Sequence, residues 1–434
     1  MSRRKLLVFP AGTEIGLEIF EALQHCKEVE LHGAGQDVPN HARFVYPRYH
    51  LLPSVREAGW VGALADLCAT LSIDYIFPAY DDVIVALAEQ AAHLLPAKVL
   101  CPSLKTCLVT RSKRSTYEAL AGDVRVPAVH RSASDVATYP VFVKPDRGQG
   151  SQGVRRVANA AELEAALSET VEPLICEFLP GEEYTVDCFT DREHGLLFSG
   201  ARIRERTRNG ISVSTSTVEL PGADRLAERI GNRLGLHGAW FFQLKRAADG
   251  ELALLEVAPR VAGSMSAHRV QGVNFPLLTI FEHERKPLKL LVNDGVVCLD
   301  RALRNRYRHP YRYAALYLDF DDTVVVAGRV NLTAIALVHK CIEDGIKVVL
   351  LTRHAGDISA TLAKHRIQTL FDEVVHLRAG ERKSDYITLP APILVDDSFS
   401  ERMEVHKRLR IPTFDPSMIE VLLHSQPPDP VSQD

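Results

Sequence analysis

Residues 141–154 read VFVKPDRGQGSQGV. An apolar run suited to a buried strand ends in Lys144-Pro145, and a loop of glycines and small polar residues follows it. Gly148, Gly150 and Gly153 alternate with Gln149, Ser151 and Gln152. Where no β-carbon stands in the way, backbone N–H groups can approach an anion closely. Lys144 adds a point charge at the strand end, a suitable partner for phosphate. An ordinary hairpin turn can have the same composition, so the rest of the chain has to decide between a turn and a phosphate cradle.

The chain has 434 residues, enough for several domains, and its 46% hydrophobic and 24% charged residues are those of a soluble globular protein. A net charge of −4 gives no footprint for nucleic acid. The eight cysteines (Cys26, Cys68, Cys101, Cys107, Cys176, Cys188, Cys298, Cys341) form no CxxC pair and sit mostly in apolar runs. Free buried thiols in a reducing compartment are expected, not disulfides or zinc ligands. The basic N-terminus leads into LLVF, too short for a signal peptide, and no apolar run reaches membrane-spanning length. The expectation is a cytoplasmic protein with no nucleic-acid and no membrane partner. Oligomeric state is left open.

The first hundred residues alternate strand and helix. KLLVF (5–9) is a strand, and EIGLEIFEALQHC a helix with Ile15, Ile19, Phe20 and Leu23 at helical spacing. VELHGAG (29–35) is a strand, a helix falls near 54–71, and DYIFPAYDD is a strand ending in Asp81-Asp82. This alternation predicts a parallel sheet. Gly12 and Gly16 do not complete GxGxxG, so no dinucleotide site is expected. Asp81 and Asp82 read first as acids of a helix N-terminus and second as strand-end site residues.

Beyond the Lys144 loop come the helix AELEAALSET and two strands, LICEFLPGEEYTVDCFTD, joined at Pro180-Gly181. A hairpin follows in which alternation puts Arg202, Arg204, Arg206 and Arg208 on one face, turned either toward a binding cleft, the reading preferred for Arg204, or toward solvent. After the helix DRLAERIGNRLGL, a strand pair turns at Asp249-Gly250 and carries Gln243 and Glu256 inside apolar strands, where a polar side chain needs a partner. Residues 301–312 hold five arginines and read as a linker or a strand-to-linker transition, solvated first and a basic surface for an anionic substrate second. The pattern then restarts with YAALYLDFDDTVVV, a helix near 331–344, the strand IKVVLLTR, the helix DISATLAKHR, a helix beginning at ERKSDYI, and a last strand, APILVDDSFSER. The polar, proline-rich tail SQPPDPVSQD is expected to be disordered.

Two ordered constellations carry the chemistry. In the later one, Asp319 and Asp321 follow an apolar strand, Thr352 follows VVLL, Lys383 comes next, and Asp396-Asp397 follow ILV. If these strands are parallel neighbours, the groups meet at one sheet edge. Clustered carboxylates repel and call for a hard cation such as Mg²⁺. A metal-bound carboxylate can attack phosphorus, and a second one, two residues on, can move the proton. This set resembles the haloacid dehalogenase superfamily of phosphohydrolases over roughly 313–415. The resemblance implies Asp319 as nucleophile, Asp321 as general acid then base, Thr352 and Lys383 as phosphoryl binders, and Asp319, Asp321 and Asp396 around the metal with Asp397 beside them. Only about thirty residues separate Asp319 from Thr352 and Thr352 from Lys383, which leaves no room for a large cap. The substrate is then large, or the N-terminal part acts as a lid.

The earlier constellation comprises Lys113, Lys144 with its loop, Glu177, Glu183, Gln243, Glu256 and Arg260, in SKRSTYEAL, VFVKPDRGQGSQGV, CEFLPGEEYTVD and FFQLKRAADGELALLEVAPR, with GSMSAHRVQGVNFP trailing. It resembles the ATP-grasp superfamily, closest to its carbamoyl-phosphate-synthetase-like branch, over roughly 1–300. The resemblance implies ATP and Mg²⁺. Lys113, Lys144 and the loop residues Gly150, Ser151 and Gly153 would take the phosphates, Glu177, Phe178 and Leu179 the adenine hinge, and Glu183 the ribose. Gln243 and Glu256 would hold magnesium, and Arg260 would meet the transferred phosphate. The family's Glu-x-Asn-Pro-Arg is Glu256-Val257-Ala258-Pro259-Arg260 here, so one metal ligand is missing and full turnover is in question.

The expected fold class is α/β and α+β multidomain: a parallel α/β domain (1–105), a two-lobed α+β ATP-grasp domain (106–298), a linker (299–312), a Rossmann-like haloacid dehalogenase domain without a large cap (313–418) and a tail (419–434). The expected function is a bifunctional enzyme. A ligase would activate a small-molecule carboxylate as an acyl phosphate for attack by an amine, and a phosphohydrolase would cleave a phosphoester. The alternatives are a kinase with an opposing phosphatase, or a nucleotide-sensing module regulating a phosphatase. A complete carbamoyl phosphate synthetase would need two ATP-grasp copies, and one is present.

Overall fold

The computed structural model describes residues 3–148, 150, 152–423 and 425–426. They form two compact units, Met1–Leu303 and Arg304–Asp434. The first begins with five parallel strands in the order Tyr49–Leu51, Val29–Gly35, Arg4–Phe9, Tyr75–Pro78 and Lys98–Val99. Side chains alternate across a strand, so Leu6 and Val8 enter one core and Leu7 and Phe9 another. The Leu6–Val8 core is shared with Phe189, Phe241, Ala258 and Phe275 of the large antiparallel sheet and its neighbours. That packing brings the start of helix Asp81–Gln90 to the large sheet.

The large sheet is antiparallel, in the order Leu252–Ala258, Gly238–Arg246, Glu183–Asp191, Gly195–Arg208, Ile211–Val218 and Cys298–Asp300. Its far face, with Val186, Trp240 and Phe242, is covered by Ala227, Ile230 and Leu234 of helix Ala223–Leu234, spaced for one helical stripe. The edge strand Cys298–Asp300 spans the expected junction of domain and linker and pairs with Ser214–Ser216.

A second, four-stranded antiparallel sheet runs Val129–His130, Pro173–Glu177, Val141–Pro145 and Arg155–Val157. The two strands joined at Pro180-Gly181 belong to different sheets. Pro173–Glu177 lies in the small sheet and Glu183–Asp191 in the large one, so 178–182 crosses between lobes. Gly181 is needed at the crossing: its N–H donates to Arg246 O at 2.9 Å, and a β-carbon there would lie 2.8 Å from that oxygen.

The arginine hairpin departs from plain alternation. Register shifts fall between Arg204 and Arg206 and between Arg206 and Thr207. Arg202 is buried, Arg204 is partly buried, and Arg206 and Arg208 are exposed. The bulges turn the strand between the two pairs.

The second unit holds a parallel sheet in the order Glu373–His376, Lys347–Thr352, Ala315–Leu318, Pro392–Val395 and Thr413–Phe414. Leu316, Leu318, Leu350 and Val395 pack on one face, and Tyr317, Val349, Leu351 and Leu394 on the other. ERKSDYI forms a single 3₁₀ turn, Lys383–Asp385, and not a longer helix, with Ser384 held by Glu404 and Asp385 by Arg408. The segment assigned to the tail opens with helix Ile419–Leu423, whose Ile419 and Leu422 are buried. The expected disordered end falls mostly on 427–434, outside the described residues. All eight cysteines are free. Among the described residues no helix is long and apolar enough to cross a membrane.

Candidate functional site

Lys144 ends strand Val141–Pro145 and is 6% exposed. Its ammonium donates to the Tyr117 hydroxyl at 2.7 Å and, among the described residues, pairs with no carboxylate. Burial draws its pKa below the ordinary lysine value, Lys113 lowers it further, and Cys176, Glu256 and Glu183 pull it partly back. A buried cation held only by a neutral phenol is under-compensated, and an anion would satisfy it. Tyr117 sits four residues after Lys113 in helix Lys113–Leu120. That spacing places both on one face, a signal that could have revealed Tyr117 from sequence.

Lys113 Nζ holds the loop through the carbonyls of Asp146 and Gly148, both at 3.3 Å. Asp146 binds back, accepting from Ser112 Oγ at 2.8 Å and Arg114 N at 2.7 Å. Gly150 adopts φ +65° and Gly153 φ +68°, a region that favours glycine. Gly148, Gly150 and Gln152 border a cavity of about 160 Å³; Gly153 does not. Ser151 lies outside the described residues.

The same cavity is lined by Lys144, Glu177, Phe178, Leu179 and Glu183. The Glu177 carboxylate accepts from Arg125 at 3.1 Å and from Ala128 N at 3.2 Å. Glu183 lies between Arg204 Nε, 3.0 Å away, and Lys245 Nζ, 3.7 Å away. Gln243 and Glu256 are direct cross-strand partners, with the bulge just after Gln243. Both border this cavity and an adjoining one of about 360 Å³. Their oxygens are hard donors of the kind magnesium takes, and Glu256 has no cation at ion-pair distance among the described residues. Ala258, two residues on, also lines the larger cavity.

Arg260 reaches Asp81 with two nitrogens, Nη2 to Oδ2 at 2.9 Å, and lies over the Phe241 ring at 5.1 Å. Burial raises the Asp81 pKa, but Arg260, Arg111 and Lys113 outweigh it and the net shift is downward. Asp82 takes Arg111 at 2.6 and 2.8 Å. Asp81 begins helix Asp81–Gln90 and also lines the 360 Å³ cavity. Arg202 is clamped by Asp187, whose Oδ2 also contacts His268 Nδ1 at 2.9 Å. No sequence signal identified that buried triad, since its members lie on separate elements.

In the second unit Lys383 Nζ sits between Asp319 Oδ1 at 2.7 Å and Asp396 Oδ2 at 2.6 Å, all three buried. The carboxylates end neighbouring strands, Ala315–Leu318 and Pro392–Val395, and Thr352 ends the strand on the other side. Burial lifts the Asp319 carboxyl to a pKa of about 6, with Lys383 opposing and Asp396 adding to the rise. Ligand oxygens of Asp319, Asp396 and Asp397 lie within 4.8 Å of one another. Asp321 is not in that group. It is exposed, and both its oxygens meet His354 Nδ1, at 2.9 and 3.0 Å. The third carboxylate beside the pair is therefore Asp397, because the exposed Asp321 is taken by His354. His354 follows Thr352 by two residues and was not picked out from sequence.

Residues 169–293 match a family model described as ATP-grasp in the biosynthetic pathway with Ter operon. A D-alanine–D-alanine ligase of Fusobacterium nucleatum subsp. nucleatum is 26% identical over 185 residues, covering 39% of this chain and 63% of that ligase. The chain thus spans less than two thirds of that relative's length. Among solved structures, the biotin carboxylase domain of Hydrogenobacter thermophilus 2-oxoglutarate carboxylase, in complex with MgADP, ADP and bicarbonate, is similar at TM-score 0.57 and 15% identity, over 68% of this chain and 74% of that one. An L-amino acid ligase from Bacillus licheniformis is similar at TM-score 0.53 and 20% identity, over 67% of this chain and 76% of that one. Residues 169–293 are thus similar to an ATP-grasp family model, and about two thirds of the chain shares the fold of these solved structures.

Proposed function

We propose that the first unit is an ATP-dependent carboxylate–amine ligase and the second a magnesium-dependent phosphohydrolase. The observation that carries the ligase reading is the Lys144 ammonium, buried beside a glycine loop with, among the described residues, only the Tyr117 hydroxyl as partner. ATP fits the smaller cavity by its chemistry. Lys113 and Lys144 meet phosphates, Phe178 and Leu179 offer apolar walls to a base, and Glu183 accepts from ribose hydroxyls. Bound magnesium would neutralise phosphate charge, with Gln243 and Glu256 holding it. A carboxylate oxygen of the substrate attacks the γ-phosphorus, the bond to the β-phosphate oxygen breaks, and ADP leaves. An amine nitrogen then attacks the acyl carbon, phosphate departs with the bonding electrons, and the amine proton passes to solvent. Arg260 offsets charge on the transferred group. The similarity to two ligases supports this reading.

In the second unit Asp319 attacks the phosphorus of a phosphomonoester while Lys383 and Thr352 offset charge on its oxygens. Asp321, held by His354, gives a proton to the leaving oxygen and later takes one from water. Asp396 and Asp397, with Asp319, would hold magnesium.

The test is an ADP-release screen of carboxylates and amines with mass analysis of the products. Lys144→Ala and Asp319→Asn serve as controls for the two sites. A product weighing the sum of the two substrates less one water supports ligation. A stable phosphorylated product with no amide indicates a kinase. Absence of ADP release across the panel, with phosphomonoesterase activity present, sinks the ligase half.

A further inference from the structure

Helix Phe275–His283 ends in Glu282-His283, and strand Gly238–Arg246 begins one residue after His237. The two elements are held close. Ala239 N donates to Thr279 Oγ1 at 3.2 Å, and a β-carbon on Gly238 would lie 3.2 Å from Thr279 Cγ2. That packing gathers three donors at the helix end. His237 Nδ1 lies 3.3 Å and His283 Nε2 lies 3.8 Å from one oxygen, Glu282 Oε2. Ligand atoms of all three residues fall within 4.8 Å of one another. Glu282 is buried and both imidazoles are mostly so.

These donors already converge on a cation. Arg192 Nη2 stands 3.1 Å from Glu282 Oε2 and 3.3 Å from His237 Nδ1, and Arg192 Nε is bound to Glu282 Oε1. Unlike the groups it touches, Arg192 has a way out. It lies in the turn after strand Glu183–Asp191, and its side chain is 37% exposed. It can withdraw into solvent while the imidazoles and the carboxylate stay fixed by the helix and the strand.

The spacing indicates which ion could take its place. Donors of a tetrahedral zinc site, with bonds of about 2.0–2.2 Å, stand about 3.3–3.5 Å apart. An octahedral set with the same bonds brings neighbours to about 3 Å. The observed 3.3 and 3.8 Å lie nearer the tetrahedral value. Two imidazoles with one carboxylate suit zinc, whereas magnesium takes oxygen donors. The end of a helix where carbonyls point outward also favours a cation. A void of about 10 Å³, room for one water-sized sphere, borders both His237 and His283 and can hold a water as fourth ligand.

We propose that His237, Glu282 and His283 bind a zinc ion, which displaces the Arg192 guanidinium and ties the end of helix Phe275–His283 to the start of strand Gly238–Arg246. The site is separate from the 160 and 360 Å³ cavities and depends on neither half of the proposed function.

The test is calorimetric titration of the full-length, chelator-treated protein with Zn²⁺ in the presence of Mg²⁺. Zinc bound elsewhere is read from a His237→Gln/His283→Gln double variant, which is expected to take up one ion fewer than the wild type. Each single variant should weaken that ion by about ten-fold or more. Arg192→Gln removes the competing cation and should tighten it by about ten-fold or more, and Zn²⁺ should raise the melting temperature of Arg192→Gln further than that of the wild type. A cluster that serves only to hold Arg192 gives neither result. The proposal is overturned if the double variant binds as many zinc ions as the wild type and as tightly, or if Arg192→Gln binds zinc no better than the wild type. If circular dichroism shows the histidine variants to be unfolded, Arg192→Gln decides: a zinc-dependent rise in melting temperature no larger than that of the wild type overturns the proposal, as does a chain that zinc does not refold.

Discussion

Asp81 and Arg260 are 179 residues apart in the chain and form a two-point ion pair, both largely buried. Asp81 opens the helix after a parallel strand, and Arg260 follows the edge strand Leu252–Ala258 of the large antiparallel sheet. The shared core of Leu6, Val8, Phe77, Phe241 and Ala258 brings the two strand ends together. Removing one partner of a buried pair strands the other charge, typically at a cost of about 3–5 kcal/mol. Asp81→Ala is therefore expected to lower stability by about that much in urea unfolding and to reduce ADP release. Adding Arg260→Met should recover part of the stability and none of the turnover. Equal stability losses for the double variant and the sum of the singles would mean the pair is not coupled.

Lys144 and Tyr117 should respond in opposite senses. Tyr117→Phe removes the hydroxyl that accepts from a buried ammonium, a loss of about 1–3 kcal/mol in the absence of nucleotide. Nucleotide phosphate would supply a replacement, so AMP-PNP should stabilise Tyr117→Phe more than the wild type. Lys144→Ala should leave the unliganded protein as stable or more so, and weaken AMP-PNP binding at least ten-fold. Thermal melts with and without AMP-PNP separate the two.

Ala258 occupies the place of a metal-ligating asparagine in the resembling family. It lies two residues beyond Glu256 along one strand, and both line the 360 Å³ cavity. Side chains two apart share a face. Ala258→Asn should lower the magnesium concentration for half-maximal ADP release by about ten-fold, the size of effect one ligand commonly has. An unchanged magnesium titration would place the second metal elsewhere.

Burial lifts the Asp319 carboxyl to a pKa of about 6. A carboxyl raised above its unfolded value binds its proton more tightly when folded, so the metal-free second unit gains stability as pH falls from about 6 toward 4. Magnesium needs the ionised form. Its affinity should be flat above pH 6 and drop about ten-fold per unit below it, measured by calorimetry from pH 5 to 8. Asp319→Asn should abolish phosphomonoester hydrolysis and leave ADP release untouched.

A buried cluster away from both cavities' charge pairs sets acid sensitivity. Burial would raise the Glu282 carboxyl, but His237 and Arg192 hold it down at about 2. Burial pushes His283 down to about 4, against the pull of Glu282. Both folded pKa values lie below the unfolded ones, so the unfolded chain binds more protons in acid and stability falls with pH. The loss should begin below pH 6.5 through His283 and steepen below 4.5 through Glu282. His283→Gln should remove the first stage in denaturant titrations between pH 7 and 4.

The residues whose placement follows from near neighbours were legible in the chain. Lys144 ends an apolar strand, Gln243 and Glu256 interrupt apolar strands around an Asp249-Gly250 turn, and Asp319 and Asp396 end strands of a parallel sheet. Period and turn chemistry are local, and they suffice to say which residue stands at a strand end. The split of the strands about Pro180-Gly181 depended on which core each strand could fill, and the arginine hairpin on bulges that alternation does not encode. His354 was hidden because its partner Asp321 lies on another strand's loop. Asp81 meeting Arg260 was settled only in the folded chain. A charge finds its partner through the packing of sheet faces, and residues hundreds of positions apart have no local pattern that names one for the other.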